Sequence, residues 1–163
     1  MRAFKHANKT NNELLARTFP MLFEEDWQDS ESLNYSAISI WDHWLQTTGD
    51  YHLLINVPPA EQKERHDKFR LLHSLIIENL SVFNATYRKK WRFKQTRSKN
   101  DLYWRLDPCY HKDSFMLLLP EIKAIYSYEG DDTSVMWYQD ESVLREFDGW
   151  VEQSGLKYIQ SKT

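Results

Sequence analysis

The chain has 163 residues, a net charge of −3 and 41% hydrophobic residues, which predicts a single domain, residues 1–163, with its own core. One cysteine excludes an internal disulfide, and neither a secretory signal nor a long apolar run is present, so we predict a cytoplasmic protein without membrane association. Because 4 glycines leave little room for a glycine-rich phosphate loop, the common nucleotide-dependent enzymes are disfavoured and we expect no cofactor and no metal.

The first half of the chain predicts mainly helices. Apolar spacing indicates a short helix from Asn11 to about Thr18, followed by an acidic loop over 24–31. A second helix is predicted from Ser36 to about Thr47, and a short strand over 51–57. The longest predicted helix covers residues 60–80 and has an apolar stripe along one side.

After residue 80 the apolar period changes from that of a helix to that of a strand. Strands are predicted over 87–95 and 102–106, joined by a hairpin through 96–101, and over 114–119, 122–128 and 133–138. A closing helix begins near residue 140 and ends at Gly155. Consecutive strands favour an α+β fold with an antiparallel sheet of about five strands in a meander and helices packed on one face.

Charge is segregated along the chain. Residues 18–62 contain eight acidic residues and no lysine or arginine, whereas residues 63–112 contain 13 basic and five acidic residues. Blocks of opposite sign either attract each other in the fold or form separate surfaces that attract charged partners.

The acidic block contains the first candidate site, a tryptophan among carboxylates. Its members are Glu24, Glu25, Asp26, Trp27 and Asp29. Aromatic anchors supply binding energy at interfaces, and a patch of one sign accelerates association with an oppositely charged partner. Since no convincing set of catalytic residues is present, we expect a binding protein rather than an enzyme. The preferred function is a protein-binding inhibitor or immunity-type module that presents this acidic aromatic surface to a basic protein.

A basic run over residues 88–99 is the second candidate site. Its cations include Arg88, Lys90, Arg92, Lys94 and Arg97, with aromatic residues between them. Phosphate backbones are attracted to such a field and aromatic rings stack on bases, so the alternative function is nucleic-acid binding. Strand alternation places Trp91 and Phe93 opposite the cations, however, and the same pattern fits a half-buried strand whose charges block edge pairing.

The segment Glu121-Ile122-Lys123 lies on a predicted strand downstream of Asp107 and Asp113. It resembles the acid…Glu-x-Lys pattern of the restriction-endonuclease-like nucleases. That resemblance implies that two carboxylates hold a divalent metal while Lys123 positions the attacking water. The pattern covers only this short segment, and a metal-dependent nuclease is the third alternative.

Overall fold

The computed structural model describes residues 3–109 and 114–159, and its framework is one antiparallel sheet of eight strands. The strands are β1 (Phe4–His6), β2 (Asn34–Ser39), β3 (Phe83–Arg88), β4 (Lys90–Thr96), β5 (Phe115–Leu119), β6 (Ala124–Tyr128), β7 (Thr133–Tyr138) and β8 (Lys157–Tyr158). Their spatial order is β1-β4-β3-β5-β6-β7-β2-β8, so β1 and β8 form the two edges.

Five helices accompany the sheet in the described part of the chain. They are α1 (Lys9–Thr18), α2 (Leu45–Thr48), α3 (Pro59–Asn79), α4 (Lys99–Arg105) and α5 (Ser142–Gln153). The Asn8 side chain caps α1 by accepting from the backbone N–H of Asn11 at 2.8 Å, and Ser98 caps α4 in the same way. None of the helices in 3–109 and 114–159 is long and apolar enough to cross a membrane.

Hydrophobic cores lie on both faces of the sheet. On one face, Leu117 and other sheet residues pack with Leu72 of α3 and Phe147 of α5. On the other face, Leu118 packs with Leu15 of α1 and with the 3₁₀ turns that follow α1. The expectation of helices on one face is therefore wrong. The sequences of β5 and β6 reflect the coverage of both faces, because these strands are almost uninterrupted apolar runs and do not alternate between apolar and polar residues.

The predicted α+β class and antiparallel sheet are confirmed, but the sheet has eight strands and not about five. The helix predicted from Ser36 to about Thr47 is wrong over its first part, where residues up to Ser39 belong to β2, and only its end overlaps a helix, α2. Strand β2 pairs with β7 over six positions and also with β8. The predicted strand over 51–57 is instead a 3₁₀ turn, Tyr51–Leu54. Only the β5-β6-β7 part of the sheet is the expected meander, because β2 and β8 join it from distant parts of the chain.

The region predicted as strands over 87–95 and 102–106 also differs. A turn at Lys89 divides the first segment into β3 and β4, and residues 102–106 belong to helix α4 and its C-terminal end. Lys89 adopts a left-handed backbone conformation, with φ 62°, which lets the chain reverse. The basic run therefore lies on a hairpin rather than on one extended strand.

Candidate functional site

The β3–β4 hairpin collects cations on one of its two faces. Thr86 is paired with Arg92, and Arg88 with Lys90, so alternate residues of both strands share a face. Lys94 lies on this face as well, opposite Asn84. The aromatic residues between the cations point to the other face, where Trp91 and Phe93 belong to the core beneath α1.

The edge strand β1 extends this basic face. It runs antiparallel to β4 and places His6 opposite Lys94 and Phe4 opposite Thr96. The backbone N–H of Arg97 donates to the carbonyl of Ala3 at 3.0 Å, which continues the pairing past the end of β4. The three strands enclose a groove of about 380 Å³. We call it the cationic groove, and its lining residues are Phe4, Lys5, His6, Thr86, Arg88, Arg92, Lys94 and Arg97.

The charge of the cationic groove is not neutralised locally. Six of its eight lining residues are basic and none is acidic. Within the described residues, none of these six forms an ion pair. By contrast, Arg65 and Arg70 of α3 are held by Asp132 and Asp107. The groove therefore presents hydrogen-bond donors of positive charge to whatever occupies it.

A cleft adjoins the cationic groove where β3 separates from β5. Their described ladder has two register pairs, Phe83 with Leu118 and Asn84 with Leu117. The Asn84 side chain then donates to the carbonyl of Met116 at 3.0 Å, and beyond this bond a cleft of about 690 Å³ opens between the strands. We call it the β3–β5 cleft.

The cleft and the groove form one continuous depression. Phe4, Thr86 and Lys94 line both of them. Helix α4 borders the cleft with Trp104 and Arg105, and Trp104 is 52% exposed. An exposed indole thus stands beside a basic groove.

Four of the five cations predicted for nucleic-acid binding line the groove, and Lys90 lies on the same face nearer the turn. Sequence reasoning missed Lys5 and His6, because β1 is a three-residue strand that becomes visible only through its pairing with β4. It also missed Trp104, which was assigned to a strand although Ser98 marks the start of α4.

The acidic segment lies on the other side of the sheet, over the second core. Trp27 is half-buried, and its ring centroid lies 5.2 Å from that of Trp137 and 6.3 Å from that of Trp91. Its indole therefore anchors the segment to the sheet. The four carboxylates of the segment are exposed and form no ion pair with a described residue; they are Glu24, Glu25, Asp26 and Asp29.

The Glu121-Ile122-Lys123 segment does not form a strand, so this part of the prediction is wrong. Pro120–Ile122 is a 3₁₀ turn, and Lys123 follows it with φ 50°. Proline removes a strand donor and favours such a turn. The Glu121 carboxylate accepts from the backbone N–H of Ser81 at 2.8 Å. Glu121 and Lys123 therefore do not share the strand face on which the nuclease resemblance depends.

The upstream carboxylate of that pattern is already engaged. Arg70 donates to both oxygens of Asp107 at 3.0 Å, and the neighbouring Cys109 Sγ lies 3.2 Å from His66 Nδ1. Burial acts to raise the pKa of the Asp107 carboxyl, but hydrogen bonds from Arg70 and from the Cys109 N–H bring that pKa below its ordinary value. Asp113 lies outside the described residues. Across 3–109 and 114–159, no group of three acidic, histidine or cysteine side chains is placed to hold a metal ion.

Comparisons of the chain with protein-family models, with curated proteins and with solved structures find no match. The chemistry of the cationic groove and of the β3–β5 cleft is therefore the guide to function. Guanidinium and ammonium groups donate charge-assisted hydrogen bonds to oxyanions, and an exposed indole stacks on flat rings. The two features together are suited to a ligand that carries both phosphates and aromatic rings.

Proposed function

We propose that the protein binds nucleic acid through the cationic groove of β1, β3 and β4. The observation that carries this proposal is that six basic residues from three strand segments, and no acidic residue, line one groove. Contacts to the phosphate backbone supply most of the sequence-independent affinity of nucleic-acid binders. Arginine suits this role because its planar fork of donors matches two phosphate oxygens at once.

The net charge of −3 does not oppose this proposal. Interactions between exposed charges are screened over about 8 Å at physiological ionic strength, so a bound phosphate responds to its near neighbours. Those neighbours are the groove's own cations, while the acidic segment around Trp27 lies over the opposite face of the sheet. Segregation of charge makes a local basic field compatible with an acidic chain.

The proposal is tested by reversing exposed charges in the groove. The triple variant is Arg88→Glu, Arg92→Glu and Arg97→Glu, and all three side chains are exposed. Binding of a fluorescein-labelled oligonucleotide is measured by fluorescence polarisation. We expect at least a hundredfold loss of affinity, with an unchanged far-UV circular dichroism spectrum.

A matched control separates local charge from net charge. The control variant carries the same charge change at exposed sites outside the groove and the cleft: Arg17→Glu, Arg145→Glu and Lys157→Glu. It should retain affinity within about threefold of the original chain, because charges beyond a Debye length are largely screened. If both variants lose binding equally, or if the original chain binds no oligonucleotide, the proposal is wrong.

The acidic aromatic surface remains a second candidate function, binding of a basic protein. It is favoured by four exposed carboxylates that no described residue neutralises and by the Trp27 ring, which holds their segment against the sheet. The test is charge reversal of Glu24, Glu25 and Asp29 to lysine with Trp27 left intact, followed by affinity capture from the native host. Recovery of the same basic partner by the variant would remove this candidate.

A further inference from the structure

The β3–β5 cleft has two mouths of different chemistry. Strand alternation places Lys94 and Thr86 at the mouth that adjoins the cationic groove, and Trp104 lines the cleft from helix α4, whose Leu102 packs in the core on that face of the sheet. At the opposite mouth the cleft is lined by Ser127 and Glu129, and the Ser127 hydroxyl donates to the Glu129 carboxylate. A phosphate would be attracted to the first mouth and repelled from the second.

We infer that the nucleic acid bound in the groove is single-stranded, with its phosphates on the cationic groove and a base inserted at the mouth of the cleft against Trp104. This inference rests on the proposed function and specifies its ligand. The continuity of groove and cleft through Phe4, Thr86 and Lys94 places a phosphate site and a ring site side by side. Neighbouring phosphate and base sites are what one strand with an unstacked base requires.

A duplex does not offer its bases in this way. Its bases are paired and stacked, and turning one out of the helix costs a few kcal/mol. Single strands carry bases that reach an aromatic side chain without that cost, and binding proteins for single strands combine a basic groove with exposed rings. This protein has both of these elements: the basic groove, and beside it the indole of Trp104, which is 52% exposed.

The cleft also contains polar groups suited to a base edge. Asn84 lines the cleft, and its side-chain nitrogen donates to the Met116 carbonyl; an amide side chain also carries an oxygen, which accepts from amino groups. The cleft volume of about 690 Å³ accommodates a nucleobase and its sugar, whereas the groove of about 380 Å³ accommodates the adjoining phosphates. Trp104 would contribute by stacking, which tolerates every base, so the inference predicts little sequence preference.

The experiment compares three ligands on the full chain by fluorescence polarisation. They are a labelled single-stranded oligodeoxynucleotide, the duplex of the same sequence, and inorganic polyphosphate as a competitor without bases. We expect the single strand to bind at least tenfold more tightly than the duplex. Polyphosphate should compete poorly at equal phosphate concentration, because it cannot use the ring site.

Two substitutions test the role of the indole. Trp104→Ala should weaken single-strand binding by roughly 5- to 150-fold, the cost of losing one base-stacking contact, while leaving duplex binding unchanged. Trp104→Phe keeps an aromatic face and should restore most of the affinity. Tyr35→Ala is the control, since Tyr35 is also an exposed aromatic residue but lies on β2, four strands away from β3.

The outcomes distinguish this inference from the proposed function. Equal affinity for single strand and duplex, with no effect of Trp104→Ala on either, would overturn the inference and leave groove binding intact. Loss of affinity in the groove triple variant together with selective loss in Trp104→Ala would support both. Absence of binding to any of the three ligands would overturn the proposed function itself.

Discussion

The affinity of the protein for single-stranded DNA should depend steeply on salt concentration. Four permanently charged residues of β3, β4 and the segment after β4 line the cationic groove: Arg88, Arg92, Lys94 and Arg97. Each phosphate neutralised on a single strand contributes about −0.7 to the slope of log affinity against log salt, so four contacts give about −2.8. Raising salt from about 50 mM to about 200 mM should then weaken binding about 50-fold.

The groove triple variant removes three of those four cations. Its slope should fall to about −0.7, which corresponds to a loss of about 2.6-fold over the same salt range. The assay is a series of polarisation titrations at constant pH and temperature, with the net-charge control variant measured in parallel. A slope shallower than about −1 in the original chain, or equal slopes in the original chain and the triple variant, would refute the assignment of phosphate contacts to the groove.

Three further predictions concern the scaffold that holds the site. Arg65→Met removes the guanidinium that donates to the buried Asp132 carboxylate at 3.1 Å, and it should lower the free energy of unfolding by about 3–5 kcal/mol in urea titrations at neutral pH. Burial raises the pKa of the Asp132 carboxyl, and Arg65 opposes that rise. Because the pKa is raised, Asp132 stabilises the fold at low pH and this stabilisation is lost as pH rises; the loss is larger when Arg65 is absent. The decrease in the free energy of unfolding caused by Arg65→Met should therefore become smaller on acidification. Leu72→Ala, at a fully buried position of α3, should cost about 2–5 kcal/mol, whereas Leu71→Ala beside it, 40% exposed, should cost about 0.5 kcal/mol or less by the same titration. Lys89→Gly should raise the thermal midpoint and add about 0.5–1 kcal/mol, since glycine adopts the φ of 62° at the hairpin turn without strain; an unchanged midpoint would contradict that reasoning.

Elements with strong local patterns could be predicted from the sequence. Helix α3 has an apolar stripe from Phe69 to Ile77, and the predicted segment 60–80 matches Pro59–Asn79 closely. Strands β5 and β6 are nearly apolar runs, β5 ends at Pro120, and the turn at Gly130 separates β6 from β7; the predicted positions of all three strands are confirmed within two residues. In each case the residues that determine the element lie within the element itself.

The elements that were mispredicted depend on distant partners. In the segment after Ser36, tryptophans beyond the strand imitate helical spacing, but pairing with β7 and β8 decides the conformation in favour of β2. Trp27 looked exposed because its neighbours in sequence are acidic, whereas its ring packs on Trp91 and Trp137, which are remote in sequence. Local pattern carries no information about such contacts.

The candidate site was predicted in part for the same reason. The cations of the hairpin were visible as a run, but the groove exists only because a turn at Lys89 and the strand β1 gather them. A single extended strand would have spread Lys90, Arg92 and Lys94 along a line at about 6.6 Å intervals. The fold instead adds cations from two neighbouring strands at lateral spacings of about 4.8 Å.

This arrangement also bears on the alternative meaning of the basic run, protection of an exposed sheet edge. Strand β1 covers only the C-terminal half of β4, because it pairs with Lys94–Thr96 and the backbone N–H of Ala7 donates to the Phe93 carbonyl at 3.1 Å. Protection of an open edge applies to Lys90 and Arg92, which lie beyond the part of β4 that β1 covers, but it does not account for Lys94 or for Arg88 of β3. Arg92 and Lys94 of β4 line a groove shared with β1 and β3, and a groove lined by basic and no acidic residues attracts anionic ligands. Edge protection therefore accounts for fewer of these residues than binding of a phosphate backbone does.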